Sequence, residues 1–324
     1  MKILVTGGAG FIGSNFIKYM LQKYDYKIVN LDKLTYAGNL ENLKDIENNK
    51  NYTFIKGDIC DRALVLDILS DCDAIINFAA ESHVDRSIET PEVFVQTNVL
   101  GTVNLLNCAK TKGIKRFLQI STDEVYGSIE KGYFTETTPI APNSPYSSSK
   151  ASADLFVQAY FKTYSMDTVI TRCSNNFGPC QYPEKLIPFF ISNLLEDKKV
   201  PVYGDGGNVR DWLYVEDHCR GIDLAFHKGK SGEVYNIGGH NEKTNIEITK
   251  IILEKMGKNE DMIEYVKDRL GHDRRYAISN DKIKAELGFE PGYSFESGID
   301  ATIEWYLKNT KWMDNIKKRC QTQG

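Results

Sequence analysis

The chain has seven cysteines, an odd number, and none of them forms a C-x-x-C pair. That spacing speaks against both a zinc site and a disulfide framework. Cys60, Cys72, Cys108, Cys173, Cys180, Cys219 and Cys320 read as free thiols of a reducing compartment, and no metal is expected. An excess of one charge is also lacking. The 44 acidic and 40 basic residues leave a net charge of −4, with no lysine- or arginine-rich block. A nucleic-acid groove is therefore not expected; an anionic small substrate has to be met by a few placed cations. Apolar stretches such as residues 74–80 fall far short of the ~20 residues that span a bilayer. Residues 1–5 enter a core strand at once, which leaves no room for a signal peptide, and a cytoplasmic location is expected. There is no internal repeat and no low-complexity tract.

What is present is an ordinary globular composition, 41% hydrophobic and 26% charged over 324 residues. That length suffices for a large core and for two lobes. Strand patterns at 2–6, 27–32, 52–56, 74–78, 116–121 and 168–172 alternate with helical patterns at 11–23, 62–70, 91–112 and 145–164. Pro91 stands in a first helical turn, where its missing N–H costs nothing. Repeated strand–helix units imply an α/β fold, a Rossmann-type doubly wound parallel sheet. After Phe177 the loops lengthen, and a smaller C-terminal α+β substrate lobe is expected. The division is 1–177 and 178–324, with segments near 213–240 free to return to the first lobe.

Between the first strand and first helix lies Val5-Thr6-Gly7-Gly8-Ala9-Gly10-Phe11-Ile12-Gly13. It fits G-x-G-x-x-G through Gly8, Gly10 and Gly13, and G-x-x-G-x-x-G through Gly7, Gly10 and Gly13. Such glycines allow a tight turn and let a pyrophosphate approach backbone N–H groups at a helix N-terminus. Asp32 ends the second strand, placed to bind ribose hydroxyls and to repel a 2′-phosphate, so NAD is the expected cofactor. Lys33 beside it is the competing signal, since a cation tolerates that phosphate. Asp58-Ile59 is placed to meet the adenine, with a helix cap as the rival reading of Asp58. His83 follows the fourth strand, either at a ligand or as a polar loop residue.

Tyr146 and Lys150, four apart on a helix, share a face. The ammonium is expected to lower the phenol's pKa so that it takes an alcohol proton while hydride leaves the same carbon. Thr122 can hydrogen-bond the same alcohol. Asp123 and Glu124 follow at once. Two adjacent carboxyls repel, so one is expected to hold a proton and act as an acid while the other acts as a base. Elsewhere such a pair reads as a solvated acidic loop. Hydride transfer alone needs Tyr146 and Lys150; loss of water needs the acid and base as well.

Four motifs together, residues 7–13, Ala79-Ala80-Glu81-Ser82-His83-Val84-Asp85, Ser121-Thr122-Asp123-Glu124-Val125-Tyr126-Gly127 and Tyr146-Ser-Ser-Ser-Lys150, resemble the dTDP-glucose 4,6-dehydratase branch of the extended short-chain dehydrogenase/reductase family. The likeness continues through residues 172–179, 183–188, 206–212 and 271–276. Departures are Phe177 where Tyr is usual, Gly207 where a larger apolar residue is usual, and Leu270 where Pro is usual.

The resemblance implies a cycle on one bound NAD: oxidation at C4 with Tyr146 as base, removal of the C5 proton by Glu124, protonation of the departing 6-hydroxyl by Asp123, and hydride return to C6. It implies that Phe11, Ile12, Leu34, Thr35, Ala79, Ala80, Ser82, Thr97 and Asn176 join the glycines, Asp32, Lys33, Asp58 and Ile59 around the cofactor. It places Ser82, His83 and Asn175 at the substrate, dTDP-glucose. Lys185, Leu186, Pro201, Tyr203, Arg210, Asn245, Arg269 and His272 would line the nucleotide pocket. Among these, Arg210 suits a pyrophosphate, because a guanidinium makes paired charge-assisted hydrogen bonds. Arg274 and Arg275 read equally well as a solvated basic face. A homodimer through 91–112 and 145–164 is implied as well. An epimerase or decarboxylase of the same fold would share Tyr146 and Lys150 without needing Asp123 and Glu124, and a non-catalytic scaffold would be expected to lose Tyr146 or Lys150.

Overall fold

A computed structural model describes residues 1–268 and 273–323, with side chains to residue 318. The strands are β1 (Lys2–Thr6), β2 (Lys27–Asp32), β3 (Tyr52–Lys56), β4 (Ala74–Asn77), β5 (Arg116–Thr122), β6 (Thr168–Cys173), β7 (Asn175–Phe177), β8 (Val200–Tyr203), β9 (Val209–Tyr214), β10 (Val234–Ile237), β11 (Glu242–Thr244) and β12 (Ile263–Val266). Seven of them form one parallel sheet in the order β10-β6-β5-β4-β1-β2-β3.

This is a Rossmann-type sheet. β1 and β4 carry almost unbroken apolar runs because helices cover both faces. One face packs on the helices Phe11–Lys23 and Val215–Lys228, around Phe16, Ile17, Ile222 and Phe226. The other face packs on helices that bring Val65, Leu105, Leu106 and Val157. The chain reverses its direction of travel across the sheet between β1 and β4, which opens a crevice beyond their carboxyl ends.

A third apolar cluster, with Phe190, Trp212, Ile252, Phe295 and Tyr306, joins the helices Leu186–Leu195, Asn245–Lys255 and Phe295–Lys308 to the small sheet β11-β9-β7. Phe177 belongs to it. Its ring is fully buried, 5.3 Å from Phe295 and 5.6 Å from Tyr214, so this departure lies in the core. Among the described residues no helix is long and apolar enough to cross a membrane.

The 91–112 helix differs from its expected form. Pro91–Phe94 and Thr102–Lys112 are α-helical, but Val95–Gly101 winds as a π-helix. The wider turn accompanies a buried polar anchor. Asn98 accepts from the Glu81 N–H (2.8 Å), donates to the Glu81 carbonyl (3.0 Å) and donates to Ser149 Oγ (2.8 Å). Satisfying those bonds outweighs regular winding, and such bulges recur at functional sites.

Candidate active site

β1 runs straight into the glycine turn. Gly7 holds φ +68°, and a Cβ there would stand 2.6 Å from the Ala79 nitrogen. A Cβ on Gly13 would stand 2.5 Å from the Gly7 carbonyl oxygen, so the helix can meet the turn this closely only without a side chain. Gly7, Gly10 and Gly13 line a cleft of about 310 Å³, whereas a Cβ on Gly8 would point at Asn30 and Ile17 instead. The helix Phe11–Lys23 has no acidic residue in its first turn. Its N–H groups and dipole therefore face the cleft without an internal anion.

Asp32 is fixed from both sides. Its Oδ2 accepts the Ala9 N–H (2.9 Å) and its Oδ1 the Leu34 N–H (2.7 Å). Burial pushes the Asp32 carboxyl up, and these two bonds pull against that. Leu34 turns to φ +57°. It does not line the cleft, and its part is this N–H. Lys33 lies 2.8 Å from Asp58, so the cation nearest Asp32 in sequence is already paired. Burial pushes Asp58 up, but Lys33 outweighs it and the carboxylate sits below its usual range. The helix cap is Asp61, not Asp58. Backbone donors for a pyrophosphate and an oriented acid for a ribose diol together fit NAD. Phe11, Ile12, Thr35, Ile59, Ala79, Ala80, Ser82, Thr97 and Asn176 line the same cleft.

β5 leads into the candidate catalytic residues Thr122, Asp123 and Glu124. Thr122 ends the strand and caps the turn Asp123–Tyr126, its Oγ1 accepting the Glu124 N–H (3.3 Å) and donating to Asp123 Oδ1 (3.3 Å). Asp123 is 2% exposed and its Oδ2 has no hydrogen-bond partner among the described residues. Burial first, then the charges of Glu124 and Asp211, push its carboxyl well above the usual range. Neighbours in sequence thus differ in environment: Asp123 is buried where its protonated form is favoured, while Glu124 is half-buried and faces both chambers of the cleft.

Ser144 and Ser147 form a capping box that starts the helix Pro145–Tyr164 at the cleft. Tyr146 and Lys150 lie on its buried face. Lys150 Nζ donates to the Ile120 carbonyl (2.7 Å), and burial lowers its ammonium below the usual pKa. The expected lowering of Tyr146 is not what this structure holds. Burial, then Glu124 and Cys173, push the phenol well up, and Thr122 only partly offsets them. Burial and the neighbouring Glu124 disfavour the phenolate while the ammonium is committed to a carbonyl.

A second chamber of about 190 Å³ adjoins the first and is lined by His83, Asn175, Lys185, Leu186, Arg210 and Asn245; Glu124, Asn175 and Lys185 are among the residues that line both. Arg210 donates to the carbonyls of Val209 (2.8 Å) and Asp273 (2.9 Å), and its guanidinium stacks 4.4 Å from the Tyr276 ring centre. Pro201 and Tyr203 are on β8 and line neither chamber. Arg269 and His272 lie outside the described residues, as does Leu270. Arg274 pairs with Asp205 at the surface, beside Gly207, where a Cβ would press on the guanidinium. Arg275 pairs with Glu242 (2.7 Å).

Glu184 is a site residue the sequence did not disclose. It accepts from Tyr36 (3.1 Å) and lies 3.8 Å from Arg86 and 4.0 Å from His83, gathering distant segments of the chain at the mouth of the cleft. His83 also caps the helix Val84–Glu89 through Nδ1 (3.4 Å from the Arg86 nitrogen). Its place in the 183–188 stretch of the likeness, beside Lys185, hinted at Glu184 but gave it no role, because its partners lie about 100–150 positions away.

The family model described as GDP-mannose 4,6 dehydratase matches residues 4–302. The low-salt glycan biosynthesis protein Agl12 of Haloferax volcanii is 56% identical, over 95% of this chain and 99% of its own length. The dTDP-glucose 4,6-dehydratase of Streptomyces niveus is 50% identical, over 100% and 98%. The crystal structure of DesIV, a dTDP-glucose 4,6-dehydratase from Streptomyces venezuelae with NAD bound, superposes with a TM-score of 0.96 at 49% identity, covering 98% of this chain and 100% of that one.

Proposed function

Because the chain belongs to the GDP-mannose 4,6 dehydratase family, we propose that it converts dTDP-glucose to dTDP-4-keto-6-deoxyglucose and water. The observation that carries this reading is the Asp123–Glu124 contrast: a buried carboxyl pushed toward its protonated form beside a half-buried one, both within the cleft that Tyr146 and Lys150 share. Bound NAD supplies an acceptor for the C4 hydride, a donor of that same hydride to C6, and a positive ring charge that favours the Tyr146 phenolate.

Tyr146 takes the proton of the C4 hydroxyl, with Thr122 orienting that oxygen and Lys150 countering the phenolate charge. The resulting ketone acidifies the C5 hydrogen, which Glu124 removes and, once hydride has reached C6, replaces with a proton at C5. Asp123 gives its proton to the C6 oxygen, and the C6–O bond breaks with release of water. Arg210 offers its guanidinium to the diphosphate in the second chamber. Epimerases of related fold need only the Tyr146 and Lys150 chemistry, and the buried acid of Asp123 favours dehydration over that alternative.

We read the two lobes as a cofactor lobe, 1–177 with 213–240, and a substrate lobe. A homodimer is supported by the outer faces of 91–112 and 145–164, where Val93, Val95, Leu100, Leu155 and Phe156 are 41–54% exposed. The six described cysteines are all free thiols, which supports the cytoplasm.

The test is incubation with dTDP-glucose and, separately, UDP-glucose. The expected result is a 4-keto-6-deoxy product from dTDP-glucose, one water lighter, without net consumption of NAD. Stoichiometric NAD consumption, or a C4 epimer with unchanged mass, would overturn the reading.

A further inference from the structure

Behind Tyr146 and Lys150 runs a buried chain of polar side chains that reaches the first chamber only at Ser121; its other members line neither chamber. Asp154 Oδ2 accepts from Arg172 Nε (2.9 Å) and from Ser121 Oγ (3.0 Å). Arg172 stacks 4.8 Å from the Tyr126 ring centre, and the Tyr126 hydroxyl donates to Asn236 Oδ1 (2.9 Å). Asp154, Arg172, Ser121, Tyr126 and Asn236 are all buried.

Asp154 is one helical turn beyond Lys150, so the two share a face of the helix Pro145–Tyr164. Lys150 binds the carbonyl of Ile120, and Asp154 binds the side chain of Ser121. The ammonium and the carboxylate thus grip consecutive residues of β5, the strand that ends in Thr122, Asp123 and Glu124.

We propose that Asp154 and Arg172 are positioning residues of the oxidation step: Asp154 is the counterion that keeps Lys150 charged beside Tyr146, and Arg172 sets how much of that negative charge Lys150 feels. This rests on the Tyr146/Lys150 role proposed above. Burial works against the Lys150 ammonium, and Asp154 is the strongest influence opposing it. On β6 the other ionisable neighbour of Lys150 is Cys173, whose thiol burial holds protonated. Asp123 and Glu124, on the turn, act on Tyr146. Thr97 and Asn98, from the π-helical segment, are uncharged.

A buried ion pair that serves stability alone gives two weakened variants with one common phenotype. A pair that tunes a neighbouring charge gives opposite electrostatic signatures. Removing the carboxylate makes Lys150 and Tyr146 easier to deprotonate, whereas removing the guanidinium makes both harder to deprotonate.

The experiment is the pH profile of C4 oxidation, read as the burst of reduced-nicotinamide absorbance when NAD-loaded enzyme is mixed with dTDP-glucose. Asp154→Asn is expected to move the profile about one pH unit toward acid and Arg172→Met about one unit toward alkali. Shifts of the same sign, or profiles superimposable on the unmodified protein, overturn the proposal. Should a single variant fail to fold, the double variant Asp154→Leu with Arg172→Met replaces the pair by apolar volume, a change such sites often tolerate. An acid-ward shift in it, smaller than that expected of Asp154→Asn, supports the proposal, and an unshifted profile overturns it. Unmodified protein that forms no keto product counts instead against the function proposed above.

Discussion

The ring Nδ1 of His218 lies 2.9 Å from the carboxamide oxygen of Asn176, tying the helix Val215–Lys228 to the floor of the cofactor cleft. Asn176 Nδ2 donates to the Ser174 carbonyl (3.0 Å), so the network assigns Asn176 Oδ1 as acceptor and the His218 proton to Nδ1. His218 Nε2 is buried with no hydrogen-bond partner among the described residues.

Burial pushes the His218 pKa from 6.5 down to about 3. In the unfolded chain this imidazole gains its proton near the ordinary value, while in the fold it stays neutral. Stability is therefore complete above about pH 6.5 and declines as pH falls from there toward 3, by something on the order of 4 kcal/mol for this group. His218→Gln keeps a donor for Asn176 and removes the titration. Urea unfolding at pH 7 and pH 4.5 should show the stability gap between the two proteins narrowing at the lower pH. A gap of constant width would sink the assignment.

Glu124→Gln keeps the shape of the base and removes its proton affinity. C4 oxidation should survive while dehydration falls by about 10²–10⁴-fold, the usual loss for a general base. The check is mass spectrometry of the sugar nucleotide, where a C4-ketone that still retains its 6-hydroxyl is expected. Near-normal dehydration would show that another group takes the C5 proton.

Gly7→Ala places a methyl group 2.6 Å from the Ala79 nitrogen, at a φ of +68° that only glycine adopts freely. The expected cost in stability is about 1–3 kcal/mol from backbone strain, with loss of bound NAD. Gly8→Ala is the internal comparison: it presses on Asn30 and Ile17, on the side away from the cleft, so lost stability there should not be matched by lost cofactor affinity. Calorimetry with NAD titration separates the two, and equal losses of affinity would contradict the proposed turn geometry.

Charging the exposed apolar faces should split the proposed dimer. Leu155→Asp combined with Val95→Asp puts two carboxylates where an apolar helix pair would meet. Sedimentation velocity is expected to show a dimer for the unmodified protein and a monomer for the variant. An unmodified protein that sediments as a monomer at micromolar concentration would remove this part of the reading.

The fold was legible because its signals are local. The apolar runs of β1 and β4, the glycines after β1 and the four-residue spacing of Tyr146 and Lys150 each depend on a few adjacent positions. The π-helical segment at 95–101 was not legible, since its anchor joins Asn98 to Glu81 and Ser149, 17 and 51 positions away. Glu184 stayed hidden for the same reason. The direction of the Tyr146 shift was misread because a spacing rule counts the Lys150 charge and cannot weigh burial against it.

By itself the sequence determined which chemistry the chain carries: a strand–turn–helix that needs glycine at Gly7, an acid at Asp32, and a Tyr/Lys pair preceded by two adjacent carboxyls. These are facts of backbone conformation and residue type. Only the tertiary structure decided which carboxyl is buried, which cation is already paired, and which charges stand behind Lys150. Burial and electrostatic potential are sums over groups that the fold brings together from distant parts of the chain, so no short stretch of residues contains them.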